Sequence, residues 1–374
     1  MNRTPLPRPT LIPGLPRFWR GPGELQLGLD PAHAVVLELP DRRAAAVLDL
    51  LDGRHSERLV LSRAAELGVP ATEALTLLDL LHSVGLVLPS PALLPPALSA
   101  ATRHRLTLEA GALALGAAGP PTRTRTGPSP ARVLRQRRAA RVVVSGHGRL
   151  GATIAVALAE AGVGHVHPEL SGVVGSTELT GSPLRPEDVG APRRVAVEAA
   201  ILRTAPGTAV HPVRRTPASL IVQLAHDEPP GLLAAGYAAR RQPHLAVAVR
   251  DGVAVVGPLV PATGAPCLNC VNLHRRERDE GWTGASATTP GGAELCAVTT
   301  LLAATAFATG EVLAFLDGSA PETLGTAVEI SAPGRFRRRT WAPHPACGCQ
   351  RRRRRPTFTG PSAHNYQTTL RRTG

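Results

Sequence analysis

Residues 141–169 read RVVVSGHGRLGATIAVALAEAGVGHVHPE. RVVVSG is a short apolar run with strand character, Ala152 to Ala161 has the small and aliphatic pattern of a packed helix, and VGHVH supplies a second strand. Gly146, Gly148 and Gly151 form G-x-G-x-x-G directly after the first strand and at the start of the helix. Glycine lets such a loop turn tightly and approach a phosphate, while the helix N-terminus presents free N–H groups and partial positive charge. By itself the motif marks the fold more firmly than the ligand. A nicotinamide dinucleotide site wants an acidic residue roughly 20 positions on, to hold the ribose. Glu169 is a candidate, displaced behind His167 and Pro168. Arg149, within the loop, can meet a phosphate or pair with a carboxylate.

Downstream the α/β texture continues. A helix is expected near Val195 to Arg203, a strand at Ser219 to Leu224, a helix after Pro230, and strands in LAVAV and VAVVG. Such alternation implies a mostly parallel sheet covered by helices. Leu295 to Gly310 is uncharged, but it is too short and too polar for a span needing roughly 20 apolar residues, and reads as a buried helix.

The five cysteines are patterned: Cys267 and Cys270 in PCLNC, Cys347 and Cys349 in HPACGC, and Cys296 alone. Two close pairs of thiolates can complete one tetrahedral zinc site that ties distant segments together. Such a closed site is structural, because no position remains for water. His344 could stand in for one thiolate, since C-x-C is a tight knuckle. Cys296 reads as a core residue.

Upstream, residues 17–90 read as strand-like LQLG and AVVLEL, a helix from Asp41 to Leu51, two more helices with Leu77, Leu78, Leu81 and Val84 on one face, and a closing strand at Gly85 to Leu88. This order suggests a small winged-helix unit. Acidic residues outnumber arginines within it, which disfavours DNA binding. The expected organisation is a winged-helix domain at 1–95, a partly disordered linker at 96–138 containing GPPTRTRTGPSPAR, an α/β domain at 139–349, and a basic disordered tail at 350–374.

The net charge of +14 comes from arginine alone, for the chain has no lysine. It concentrates between Arg132 and Arg141, at Arg335 to Arg339, and at Arg351 to Arg355. Solvated, anion-attracting segment ends account for these runs more simply than nucleic-acid binding does. The start, MNRTPLPRPTLIPGLP, lacks a continuous apolar stretch and a cleavage site. No signal peptide or membrane span is expected, and the cytoplasm is the expected compartment.

VVVSGHGRLGATIAVALAEAGVG, VGPLVPATGAPCLNCVNLHRRERD and HPACGC together resemble the ThiF and ubiquitin-activating-enzyme-like superfamily, in particular actinobacterial members found in azole and azoline peptide clusters. The resemblance covers about residues 140–349, and the N-terminal unit is similar to the leader-peptide recognition module of such proteins. It implies a ThiF-type Rossmann sheet with a structural zinc. It also implies a glycine loop for ATP, an arginine on phosphate, a catalytic lysine and a magnesium-holding aspartate.

Mapped residue by residue, Gly146, Gly148 and Gly151 match the loop, with Arg149 where the family has another glycine. Glu169 lies near the ribose-binding aspartate, and Arg185 in SPLRPEDVG matches the phosphate arginine loosely. Arg193 takes the place of the lysine, with different reach and geometry. Asp227 is the carboxylate whose register suits magnesium. Several departures at one centre favour binding over adenylation. The resemblance then implies a partner that captures a precursor's leader peptide and delivers it to a YcaO-type cyclodehydratase, with a homodimer as the common state of relatives. An active ATP-dependent adenylyltransferase is the alternative, and an oxidoreductase on the same loop a third.

Overall fold

The computed structural model describes residues 4–30, 34–39, 41–117, 127–214, 216–264, 266–282 and 294–349. The arginine tail at 350–374 lies outside the described residues, as do 118–126 of the expected linker.

Short strands and well-capped helices build the N-terminal unit. β1 (Pro9–Leu11) pairs antiparallel with β5 (Val87–Pro89), while β2 (Arg17–Trp19), β3 (Glu24–Leu27) and β4 (Val35–Glu38) form a separate meander. Leu25, Leu27 and Leu37 point inward from this meander by strand alternation. The Asp41 carboxylate accepts the Arg43 N–H and starts a 3-10 helix over Arg42–Leu50. Ser56 caps α1 (Glu57–Glu66) in the same way, and α2 (Ala71–Ser83) buries Ala74, Leu77, Leu78 and Leu81 at helical spacing. The closing strand expected near residue 85 therefore pairs with β1, a strand too short to announce itself in the sequence.

The segment 96–138, expected as a linker, is largely helical where described. α3 (Ser90–Leu93) leads into α4 (Ala100–Arg105), α5 (Thr107–Ala117) and α6 (Pro130–Ala139). Ser99 and Ser129 cap α4 and α6, and Pro130 occupies the first turn of α6, where its missing N–H costs nothing. Leu98, Leu106, Ala110, Ala114 and Leu134 join the core of the N-terminal unit. The arginine-rich face of α6 hides this apolar stripe from a reading by composition.

Arg137 joins these helices to the second core. It is 4% exposed and donates to both Asp317 oxygens (2.7 to 3.2 Å), to Glu109 at 2.6 Å and to the Ala161 carbonyl at 3.1 Å. Arg105 donates to the carbonyls of Ala159 and Glu160, in the last turn of α7, where carbonyls run short of backbone partners.

The central sheet has seven strands in the order β12-β11-β10-β9-β8-β6-β7. β6 (Arg141–Gly146), α7 (Leu150–Glu160), β7 (His165–Leu170), α8 (Arg193–Thr204), β8 (Leu220–Gln223), α9 (Pro230–Arg240) and β9 (His244–Arg250) alternate, and these four strands pair in parallel. β10 (Val253–Val260) then turns back on β9. After α10 (Leu268–Arg278) and α11 (Val298–Leu316), β11 (Thr326–Ala332) and β12 (Arg335–Thr340) continue the antiparallel half. The mostly parallel sheet thus has an antiparallel half: β10 is an expected strand, β12 falls on a segment read only as a charge run, and β11 on one left unread.

One face of the sheet carries Val142, Val144, Val222, Val256 and Ile330 against α7, α8 and α11. By length and composition α11 is apolar enough to cross a membrane. Here it is a core helix, burying Leu301, Ala304, Ala308 and Val312 against the sheet and α7. The opposite face carries α9, α10 and a cluster that includes Tyr237, Leu268, Cys267, Cys270 and Cys347.

Candidate functional site

β6 is flanked by β7 on one side and β8 on the other, so the chain order reverses at β6/β8. In open α/β sheets ligands enter the crevice beyond the strand carboxyl ends at such a point. The glycine loop and residues 224–227 meet there. The His147 N–H donates to the Ala225 carbonyl at 3.0 Å. Gly146 and Gly148 have φ of +116° and +120°, in the region that favours glycine. A Cβ at Gly146 would collide with the Ala225 carbonyl, and one at Gly148 would lie 2.5 Å from Glu294 Oε1.

Glu294 is the residue that sequence reasoning missed. Its Oε2 accepts the Arg149 N–H at 2.7 Å, at the start of α7. Arg149 returns the contact, donating from its guanidinium to the carbonyls of Glu294, Cys296 and Thr180 at 3.1 to 3.3 Å. Burial raises the Glu294 carboxyl above its ordinary range, against the opposing pull of the Arg149 backbone N–H. The helix N-terminus and the positive loop, where an anion would sit, are therefore occupied by the chain's own carboxylate. The space left beside it, lined by His147, Gly148, Leu150, Leu224, Val247 and Glu294, among others, leaves no room for a water-sized sphere. No local signal reveals Glu294, which is 145 residues from its partner in the sequence.

The other nominated residues divide. Arg193 does not face the crevice as a free cation. It is clamped to Glu178 through Nε at 2.9 Å and Nη2 at 2.7 Å, and it also donates to the carbonyls of Ser171 and Val173. Both side chains of this pair are only 11–12% exposed, so the fork acts as a staple on the loop after β7. Arg185 is exposed, 3.5 Å from Glu187, while its backbone N–H meets Asp188. Among the described residues no contact brings it to the glycine loop.

Glu169 is exposed on β7 in register with Ser145 of β6, which pairs in turn with Gln223 of β8. Gln223 accepts a hydrogen bond from the Tyr237 hydroxyl of α9. Asp227 is 77% exposed, with Oδ1 3.4 Å from His147 Nε2. That His147 nitrogen has no aligned hydrogen-bond partner, so the contact is a loose one. Gly151 packs tightly against Leu224 and Leu170, which explains its size by helix–strand packing.

The four cysteines converge from two segments. Cys267 and Cys270 lie at the start of α10, Cys347 and Cys349 beyond β12, and all four sulfurs lie within 4.8 Å of one another. The sulfur separations are 3.8 Å for Cys267–Cys270, 3.6 Å for Cys267–Cys347 and 3.4 Å for Cys270–Cys349. A zinc tetrahedron with Zn–S near 2.3 Å has S···S edges of about 3.8 Å, so the donor set fits that ion. Hydrogen bonding from Cys267 lowers the Cys270 thiol, while burial raises that of Cys349. A bound metal would deprotonate all four.

His344 lies outside the four-sulfur group, beside His274 and Glu277. Its Nδ1 accepts the Ala346 N–H at 3.1 Å, which leaves Nε2 to donate to Glu277 at 2.7 Å. It shapes the HPACGC turn from a buried position, 3% exposed. Cys296 lies outside the cluster, beside the Gly252 carbonyl.

A mixed sheet with a glycine loop at its switch point and a four-cysteine cluster closing the far face defines the ThiF-like α/β architecture. Solved structures agree on the fold. E. coli MccB with ATP superposes with a TM-score of 0.58 at 16% identity, covering 91% of this chain and 99% of MccB. The microcin C7 biosynthetic enzyme MccB with N-formylated MccA gives 0.59 at 16% identity over the same shares. PaaA gives 0.57 at 16% identity, covering 88% of this chain and 99% of PaaA. No family model and no curated protein sequence matches the chain.

Proposed function

We propose that the chain is a non-adenylating, ThiF-like partner protein that binds the leader of a ribosomally made precursor peptide and presents it to a YcaO-type cyclodehydratase in azole or azoline biosynthesis. The observation that carries this reading is the Glu294 carboxylate at the N-terminus of α7. A centre whose anion cradle is filled, and whose cation in the lysine position is committed to Glu178, is suited to holding a peptide rather than activating one. One neighbouring structure is of MccB in complex with N-formylated MccA, which supports reading this scaffold as a peptide binder. Zinc serves as a structural pin, and a reducing cytoplasm keeps its thiolates available.

The leader adds a strand to an edge of the β2–β3–β4 sheet, where Phe18, Trp19 and Val36 are exposed at 36–41%. Removing residues 1–95 would uncover Leu106, Ala110 and Leu134, so surface substitutions give the cleaner test. Titration of the zinc-loaded chain with a leader encoded beside it should saturate. Phe18→Asp or Val36→Asp, one on each edge strand, should weaken it about tenfold or more. Unchanged affinity in both variants would remove the N-terminal sheet from the account.

The second reading, an active adenylyltransferase, rests on the solved MccB complex with ATP. Peptide-dependent exchange of pyrophosphate into ATP would establish it.

A further inference from the structure

The antiparallel half of the sheet presents a cationic, aromatic-lined face that the glycine loop and the zinc cluster do not use. Register places Arg250 opposite Val253, Val255 opposite Glu329, and Glu329 opposite Arg337, so these side chains share one face with Arg339. α10 adds Arg275 and Arg278. The guanidinium carbons of Arg250 and Arg275 lie 5.8 and 5.1 Å from the Trp282 ring centre, and those of Arg275 and Arg278 lie 5.8 and 5.2 Å from that of Trp341. Glu329 is the carboxylate within the strand face, and it pairs with Arg339 at 2.5 Å.

Among the described residues Arg250 and Arg275 have no ion-pair partner. Burial chiefly lowers Arg275 to about 10, with Arg250 and Arg339 adding to the effect and Glu329 opposing it. Trp341 is 6% exposed, and its buried Nε1–H has no hydrogen-bond partner, a donor left over beside the arginines.

We infer that this face binds an acidic peptide segment, its carboxylates taken by Arg250, Arg275 and Arg337. Planar guanidinium groups match carboxylates by paired N–H···O bonds, and stacking on indole rings fixes their orientation before the ligand arrives. The same stacking argues against single-stranded nucleic acid, which needs free aromatic faces for its bases. Both rings already carry arginine at cation–π distance. The inference stands apart from leader capture, which uses the sheet formed by β2, β3 and β4.

The test uses the full, zinc-loaded chain and a short oligoglutamate as probe, followed by calorimetry at low salt, with oligoglutamine, inorganic phosphate and a single-stranded oligonucleotide as comparisons. Every variant retains the arginine tail, so differences between variants report this face alone. The expected result is saturable oligoglutamate binding that weakens about tenfold in Arg250→Gln/Arg275→Gln and measurably in the exposed Arg337→Gln, with none to oligoglutamine. Equal affinity in parent and variants would overturn the site. Tighter binding of the oligonucleotide, lost in the same variants, would replace the peptide with nucleic acid. Phosphate matching oligoglutamate would reduce the face to a simple oxyanion site. Arg337→Gln, on an edge strand, keeps the test valid if the double variant does not fold.

Discussion

The backbone N–H of Arg149 donates to Glu294 Oε2 at 2.7 Å, so a carboxylate of the chain itself caps the helix whose N-terminus a nucleotide phosphate would need. The contact is electrostatically favourable, yet it is made in a buried place. Burial dominates and lifts the carboxyl above its ordinary value.

That lift fixes a pH dependence. An acid with a raised pKa in the folded state binds its proton more tightly there than in the unfolded chain. It therefore weakens the fold as pH rises above the unfolded value of about 4.3. Glu294→Gln keeps an acceptor for Arg149 and removes the titration. The melting temperature of the variant relative to the parent should rise between pH 4 and pH 7. A difference that does not change with pH would contradict this.

Arg193 is a structural fork. Arg193→Lys keeps the charge but cannot bridge both Glu178 oxygens and the carbonyls of Ser171 and Val173 together. Denaturant unfolding should show a loss of about 1–3 kcal/mol. Pyrophosphate exchange gained by the lysine variant would instead restore the catalytic role that the family resemblance assigns to this position.

Arg137 pins the N-terminal helices to α11. Arg137→Met strands Asp317, whose side chain is 14% exposed, while Glu109 at 35% turns to water. The stability loss should be about 3 kcal/mol, mostly through Asp317. A loss below about 1 kcal/mol would show that both acids find solvent.

The purified chain should carry about one zinc, and Cys270→Ser, at a fully buried position, should lose most of it. Metal content and a protease digest of α10 would report the loss together. A metal-free parent, or a fully loaded variant, would contradict the tetrahedral assignment.

Much of this arrangement is written locally in the chain. The strand, turn and helix of 141–160 need only neighbours, and two short cysteine spacings announce one ion site. What escaped reading has physical causes. Arg335 to Thr340 is an edge strand whose solvent side is all charge, which erases the alternation that marks a strand. α6 buries a thin stripe of Ala131, Val133 and Leu134 beneath arginines. Arg193 matched a family position, but its partner Glu178 lies in a single 3-10 turn, Ser176–Glu178, too short to show periodicity. Glu294 meets Arg149 only after the whole sheet has formed.

Calorimetry of the zinc-loaded chain with Mg·ATP, in the presence of its precursor peptide, tests the filled cradle most directly. The account predicts no saturable binding in the parent and measurable binding in Glu294→Ala. Micromolar binding by the parent, together with peptide-dependent pyrophosphate exchange, would contradict it.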